Sequence, residues 1–417
     1  MNRIEKTLPN GTRVVLIRKP GFSRSLFLAG FGTGGLYLQG NTAEGRRRFR
    51  SGAAHFLEHQ MFRLNGRDVT DDMAAMQAGT NAYTAFEETA YYFSTTADPL
   101  PPLGLLLDFV QTLDITEASV EKEKGIILSE YDMYDQNPES RLLQETMNSL
   151  YHVYPLNTDI LGTPQDIRDM STEDLAVFYH TWYDPARMVV IGITPHPLDK
   201  VLAFIEDREA GYPGSKETAP VPVFDPEPES VHRSSFTLPM DVAAPYVCIG
   251  FKFKPAGDVR ENMKRDLAVN FWIDGMFSPL NPAFQDWIDQ RILTQVYSGE
   301  GEFSDKDAYM LFYAQTEKTD EFRDLVMDLV KRRPMLSEKT FEILRRQNLA
   351  RSLRLQDSFQ GLAQKELEAV LDDVPLAKQT EMARNITLTD VEQAVSKLNF
   401  ENCTVTLITP RNEALQG

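Results

Sequence analysis

The sequence predicts an α+β protein built as two similar halves, and three observations predict it. Runs rich in β-branched and aromatic residues alternate with long helical stretches on both sides of the midpoint. A proline-, glycine- and acid-rich segment at residues 207–235 separates the two sides. Three ordered segments of the first side recur in the second at offsets of about 215 to 220 residues, which marks an internal repeat.

Taken in order, Arg13 to Arg18, Ser25 to Phe31 and Tyr91 to Thr95 read as strands, and Ala118 to Tyr134 and Thr172 to Tyr179 as helices. Strands that return after helices call for layered packing, one sheet per half covered by helices. Ser171 ahead of Thr172-Glu173-Asp174 places a hydroxyl and carboxylates at a helix start, and the same device recurs at Thr387 to Glu392. In the repeat, Thr89 to Asp98 matches Asp307 to Thr316, Leu107 to Val110 matches Met327 to Val330, and Met188 to Pro195 matches Cys403 to Pro410. The proline-dense segment can continue neither a helix nor a central strand. The expected organisation is therefore a domain at 1–206, a linker at 207–235 and a second domain at 236–417. Two cores of roughly 200 residues each suit a chain of this length.

Composition narrows the function. The chain is 42% hydrophobic and 25% charged, and no run approaches the roughly 18 apolar residues of a membrane span. No apolar stretch follows Met1, so a secretory signal is not expected and a cytoplasmic location is the simplest reading. A net charge of -18 argues against a nucleic-acid binder, whose basic footprint would show in the composition. Cys248 and Cys403 both lie in apolar strand-like runs and read as buried thiols rather than a disulfide framework.

His55-Phe56-Leu57-Glu58-His59 carries the chemistry. On a helix, residues four apart project from one face, so both imidazoles can reach a single ion, with Glu58 beside them and Phe56 and Leu57 turned to the core. Zinc suits such a set, because a catalytic zinc takes three protein ligands and keeps a position for water. A second helix offers Glu123 and Glu130, seven apart and so on one face, with Ile126 and Ile127 between them to pack inward. An anionic ligand from that helix completes a His-His-Glu set.

In their setting these residues resemble a known family. Ser51-Gly52-Ala53-Ala54 before His55, Gln60-Met61-Phe62 after His59, Ala78 to Thr84 with Asn81, Thr89 and Tyr91, and Val120 to Glu130 with Met133-Tyr134-Asp135 are similar to the pitrilysin (M16) family of inverzincin peptidases. The likeness extends over nearly the whole chain and is greatest to the short, processing-peptidase-like bacterial members of the YmfH type. It implies two homologous α/β halves, each a mostly antiparallel sheet covered by helices, forming a half-clamshell. It implies one zinc per chain on His55, His59 and Glu130, Glu58 as general base, and Glu123 orienting a ligand. It further implies that an edge strand at Asn81 and Ala82 pairs with an extended peptide substrate.

The second half lacks the metal motif. Asn270 to Phe277 stands opposite the histidine helix, and Phe341 to Arg351 opposite Val120 to Glu130. The family grips substrate there with an arginine and a tyrosine. The comparable stretch, Trp287 to Tyr297, has Arg291 and Tyr297 but lacks the family's glycine. That departure suggests a heterodimer in which a metal-free homologous subunit completes the substrate contacts, with a homodimer as the other arrangement. The expected function is a zinc-dependent endopeptidase, or a subunit of one, acting on peptides or unstructured segments. A non-catalytic scaffold or regulatory subunit is the rival, although such relatives lose members of the five-residue set kept here. His152, His180, His196 and His232 have no partner at ligand spacing and read as satisfied surface or core residues. Arg46 to Arg50 reads as a solvated basic loop.

Overall fold

The computed structural model describes residues 2–214 and 220–411, so residues 215–219 of the expected linker lie outside the described residues. The strands are β1 (Arg3–Thr7), β2 (Arg13–Arg18), β3 (Ser25–Phe31), β4 (Gln39–Thr42), β5 (Gly45–Arg48), β6 (Arg63–Leu64), β7 (Arg67–Asp68), β8 (Ala78–Thr84), β9 (Thr89–Thr95), β10 (Met188–Thr194) and β11 (Val221–Pro222). They continue with β12 (Ser235–Met240), β13 (Tyr246–Lys252), β14 (Tyr297–Phe303), β15 (Ala308–Gln315) and β16 (Cys403–Pro410). The helices are α1 (Ala53–Gln60), α2 (Val69–Ala75), α3 (Leu100–Val110), α4 (Glu117–Asp135), α5 (Pro138–Leu150), α6 (Pro164–Asp169), α7 (Thr172–Trp182) and α8 (Leu198–Glu209). Then come α9 (Val259–Met276), α10 (Phe284–Asp289), α11 (Thr319–Arg332), α12 (Glu338–Leu355), α13 (Phe359–Leu371), α14 (Leu376–Asn385) and α15 (Leu388–Ser396).

Two compact units result, one of residues 1–131, 158–224 and 355–373, the other of 132–157, 225–354 and 374–417. The first holds a sheet of order β1-β2-β10-β3-β9-β8. Its central strands β3 and β10 are buried along their whole length, as their near-continuous apolar sequences require. Helices α3, α8 and α13 pack on it. Arg3 anchors α13 through a two-pronged pair with the buried Glu366 carboxylate at 2.7 and 2.8 Å.

The second unit repeats the plan with a sheet of order β12-β16-β13-β15-β14. Like β2 with β10, β12 runs parallel to β16, and every other pair of that sheet is antiparallel. The α+β class with two homologous, mostly antiparallel halves is therefore what the chain adopts. Helix α5 packs on β12, β13 and β16, and Phe251, Trp272, Phe312 and Phe322 fill the core. Cys248 and Cys403 are both free thiols on neighbouring strands β13 and β16. Both expected helix starts are present, and each forms a capping box, Ser171 with Asp174 on α7 and Thr387 with Asp390 on α15. Among the described residues no helix is long and apolar enough to cross a membrane.

Candidate metal centre

The histidine helix α1 is held in place at its first turn. Gly52, its N-cap, adopts a left-handed conformation with φ of 78° against the carbonyl of Leu161, where a Cβ would sit 2.1 Å from that oxygen. The Ser51 hydroxyl donates to Asp166 at 2.5 Å, and the Arg50 guanidinium reaches Asp166, Asp169 and Asp174 at 3.4, 3.8 and 3.0 Å. These carboxylates belong to α6 and α7, so two helices fix the start of α1. Phe56 and Leu57 are buried, as the spacing predicts. The basic run is not the loop its composition suggests: Gly45–Arg48 forms β5, paired with β4, and Arg50 is a tether.

A second fastening joins α1 to α4. The Gln60 carboxamide accepts from the Ser119 hydroxyl at 2.7 Å, just ahead of the turn that carries Glu123. Helix α4 buries Val120 and Ile127, seven apart, which leaves its Glu123 and Glu130 face toward α1. Ile126 does not pack inward as expected. It is 46% exposed, because burial of Val120 and Ile127 turns the flank carrying Ile126 to solvent.

Five side chains then come together. The His55 and His59 rings lie 4.6 Å apart. One Glu130 carboxylate oxygen lies 3.8 Å from His55 Nε2 and 3.7 Å from His59 Nε2. Glu123 meets the far side of the second ring, 2.9 Å from His59 Nδ1. That contact favours a proton on Nδ1 and leaves Nε2 as a lone-pair donor. Glu58 accepts from the Thr84 hydroxyl of β8 at 3.0 Å, and its oxygen and the histidine nitrogens lie within 4.8 Å of one another.

Electrostatics sorts these groups. Burial, aided by the neighbouring His59, pushes the His55 imidazole down to about 3, so it is a neutral donor. Burial also pulls His59 down, but its bond to Glu123 and the carboxylates of Glu58 and Glu130 outweigh this and leave it raised. The Glu58 carboxyl is raised by burial, against the opposing pull of His59 and Thr84. Beneath lie the buried phenols of Tyr91 and Tyr183, their oxygens 2.9 Å apart and their pKa values pushed up by burial.

The donor set fits zinc. Ligands about 2.1 Å from a tetrahedral ion stand roughly 3.4 Å from each other, and the observed 3.7 and 3.8 Å separations need only a small inward movement. Two imidazoles and one carboxylate would leave a coordination position open, with Glu58 alongside. Among the described residues, His55, Glu58 and His59 form the group of three or more metal-binding side chains.

The other expected site residues fall elsewhere. Asn81 and Ala82 lie on β8, the edge strand of the first sheet, paired with Tyr92 and Tyr91. Arg291 occupies a left-handed turn with φ of 59° after α10, and its carbonyl accepts from Thr316 at 3.0 Å. Tyr297 opens β14 with its ring packed 5.7 Å from Phe277 and 5.4 Å from Phe284. The rings of His152 and His232 come within 5.0 Å of each other, a neighbour relation their spacing concealed. Thr84, Gln60, Ser119 and Arg50 serve the site without having been expected there. Gln60 and Thr84 lay within the segments that carry the resemblance, and Arg50 lay next to the histidine helix, but none had a role assigned.

Comparison with known proteins places this geometry in context. The model of the insulinase family, peptidase family M16, matches residues 46–164, and that of the peptidase M16 inactive domain matches residues 169–348. The uncharacterized zinc protease YmfH of Bacillus subtilis is 26% identical over 97% of this chain and 96% of its own length. The human mitochondrial-processing peptidase subunit beta is 32% identical over 34% of this chain and 30% of its own. Among solved structures, an M16-like peptidase from Alicyclobacillus acidocaldarius superposes with a TM-score of 0.92 at 27% identity over 98% of both chains. A protease from Helicobacter pylori reaches 0.84 at 18% identity over 98% of this chain and 99% of that one, a likeness of fold.

Proposed function

Because this chain belongs to the M16, or insulinase, family of peptidases, we propose that it is a zinc-dependent endopeptidase, or the metal-bearing subunit of one, acting on peptides or unstructured segments. One observation carries the reading: a Glu130 oxygen stands 3.8 and 3.7 Å from the Nε2 atoms of two histidines, with the Glu58 carboxylate beside them.

His55, His59 and Glu130 would hold the ion. Zinc, when bound, supplies Lewis-acid polarisation of the scissile carbonyl and a lowered pKa for water. Glu58 takes the proton from the attacking water and later delivers it to the leaving amine. Burial raises its pKa against the opposing pull of His59 and Thr84. Thr84 holds the carboxylate at 3.0 Å and so fixes the direction of transfer. Glu123 keeps the His59 ring oriented. The edge position of β8 supports pairing of Asn81 and Ala82 with an extended substrate backbone.

The sequence departure at Trp287 to Tyr297 supports a related metal-free subunit as the source of further substrate contacts, since the Tyr297 ring is packed against Phe277 and Phe284 within its own unit. Strong cleavage by an isolated homodimer, read by size-exclusion chromatography with a peptidase assay, would remove the need for that partner.

Glu58→Gln tests the chemistry, with zinc content and cleavage of an unfolded peptide measured together. Full zinc with cleavage lost by a factor on the order of 10³ or more is the expected result. Cleavage at the wild-type rate would exclude Glu58 as the base.

A further inference from the structure

A cavity of about 860 Å³ is lined wholly by residues of the second unit. Nothing in the peptidase reading uses it, and its volume is in the range of small-molecule sites. Six of its lining residues are lysine or arginine and five carry carboxylates, a local positive balance of one in a chain of net charge -18.

Several of those charges are already committed. Glu227 accepts the backbone N–H groups of His152, Val153 and Tyr154 at 2.9, 2.8 and 2.8 Å and the Lys252 ammonium at 2.5 Å. Glu229 pairs with Lys254 at 3.4 Å, and Asp390 with Lys264 at 2.6 Å. Arg265 is placed differently. Its guanidinium lies 4.5 Å over the Phe303 ring and spends one Nη1 donor on the Lys254 carbonyl at 3.0 Å. Burial lowers its pKa despite Glu261 nearby, so an incoming anion would replace hydration the group has lost.

The walls between the charges are apolar. Phe253 and Ala268 are 8% and 1% exposed. Tyr151 is buried under the Lys252 ammonium, 5.0 Å from its ring, and its hydroxyl has no hydrogen-bond partner. Lys397 lines the cavity from the exposed end of α15.

We propose that this cavity binds an organic monocarboxylate with an apolar body, the Arg265 fork gripping the carboxylate while Phe253 and Tyr151 receive the body. A planar guanidinium with parallel donors matches a carboxylate in geometry. A net excess of one positive charge matches a monoanion rather than a phosphate dianion.

Titration calorimetry on the full chain tests this with N-acetylphenylalanine, its uncharged amide and inorganic phosphate as probes. The acid is expected to bind about tenfold or more tightly than the amide, and more tightly than phosphate. Arg265→Gln should erase the preference for acid over amide, and Ala394→Trp, which fills the cavity from α15, should remove binding of both. Lys397→Gln, at an exposed position, should weaken the acid several-fold with no change in near-ultraviolet circular dichroism, and it decides the matter if Arg265→Gln does not fold. Glu58→Gln should leave every affinity unchanged, so failure here is separable from failure of the peptidase assignment. Equal binding of acid and amide, tighter binding of phosphate, or no heat from any probe overturns the proposal.

Discussion

His59 shows how a single side chain is tuned from both ends. Its Nδ1 meets Glu123 at 2.9 Å while its Nε2 looks across 3.7 Å to Glu130. Glu123→Gln keeps the shape but loses the charge that orients and enriches the ring, and zinc affinity is expected to fall about 10- to 100-fold. Competition with a fluorescent zinc chelator measures this, and unchanged affinity would remove Glu123 from the site's support. Away from the metal, Glu88 is 7% exposed and accepts from Tyr83 at 2.6 Å. Burial, reinforced by Glu368, pushes its carboxyl from 4.5 up to about 7. Folded and unfolded chains both hold this proton below pH 4.5. Between there and 7 the unfolded chain releases it first, so the stability of the fold drops as pH rises and the loss is complete above 7. Glu88→Gln cannot titrate. Relative to it the wild type should lose up to about 3 kcal/mol between pH 4.5 and roughly pH 8, read as a shift in denaturation midpoint. A constant difference across that window would contradict the assignment.

At the scale of elements, the placing of α1 depends on a backbone that only glycine supplies cheaply. Gly52 and Gly66 share a left-handed φ, 78° and 75°, but only Gly52 is crowded, its Cβ position lying 2.1 Å from the Leu161 carbonyl. Gly66→Ala should cost about 1–2 kcal/mol, the left-handed penalty alone. Gly52→Ala should cost clearly more and should also weaken zinc binding, because the chain must move where it enters the histidine helix. Equal costs in thermal unfolding, or intact zinc affinity in Gly52→Ala, would show that the entry to α1 is not fixed this way. The helix itself was legible from its spacing: the apolar pair Phe56 and Leu57 and the imidazole pair His55 and His59 are determined by helical period alone. Thr84, Ser119 and Arg50 were not legible as partners of the site, since each acts through a contact with a residue at least 26 positions away. The inward placement of Ile126 failed for a related reason. A helix with Val120, Ile126 and Ile127 as candidates has two possible buried seams, and only the neighbouring helices choose between them.

At the scale of the whole molecule, the repeat was visible because strand order is carried by local strand signals. Met188–Thr194 and Cys403–Pro410 occupy the same place in their sheets, second from one end in the β12 sheet and third in the β1 sheet, where β1 is an added edge. Which sheet each helix covers was not visible. Helix α13 packs on β3 and β10, and α5 on β13 and β16, yet an apolar helix face has the same sequence pattern whichever sheet receives it. The second half also explains why one ion per chain is expected. The positions matching His59 and Glu130 are Asp274 and Arg351, 3.6 Å apart, an ion pair where the first half has two of the proposed ligands. Chelation should therefore lower the unfolding temperature of the wild type and leave His55→Ala unaffected, since only a chain that binds zinc when folded gains by mass action.

Anomalous diffraction at the zinc absorption edge, on crystals grown with the metal, tests the central claim most directly. We expect one peak per chain, within about 2.0–2.2 Å of His55 Nε2, His59 Nε2 and a Glu130 oxygen. No peak there, or an ion held by the two histidines with Glu130 turned away, would contradict it.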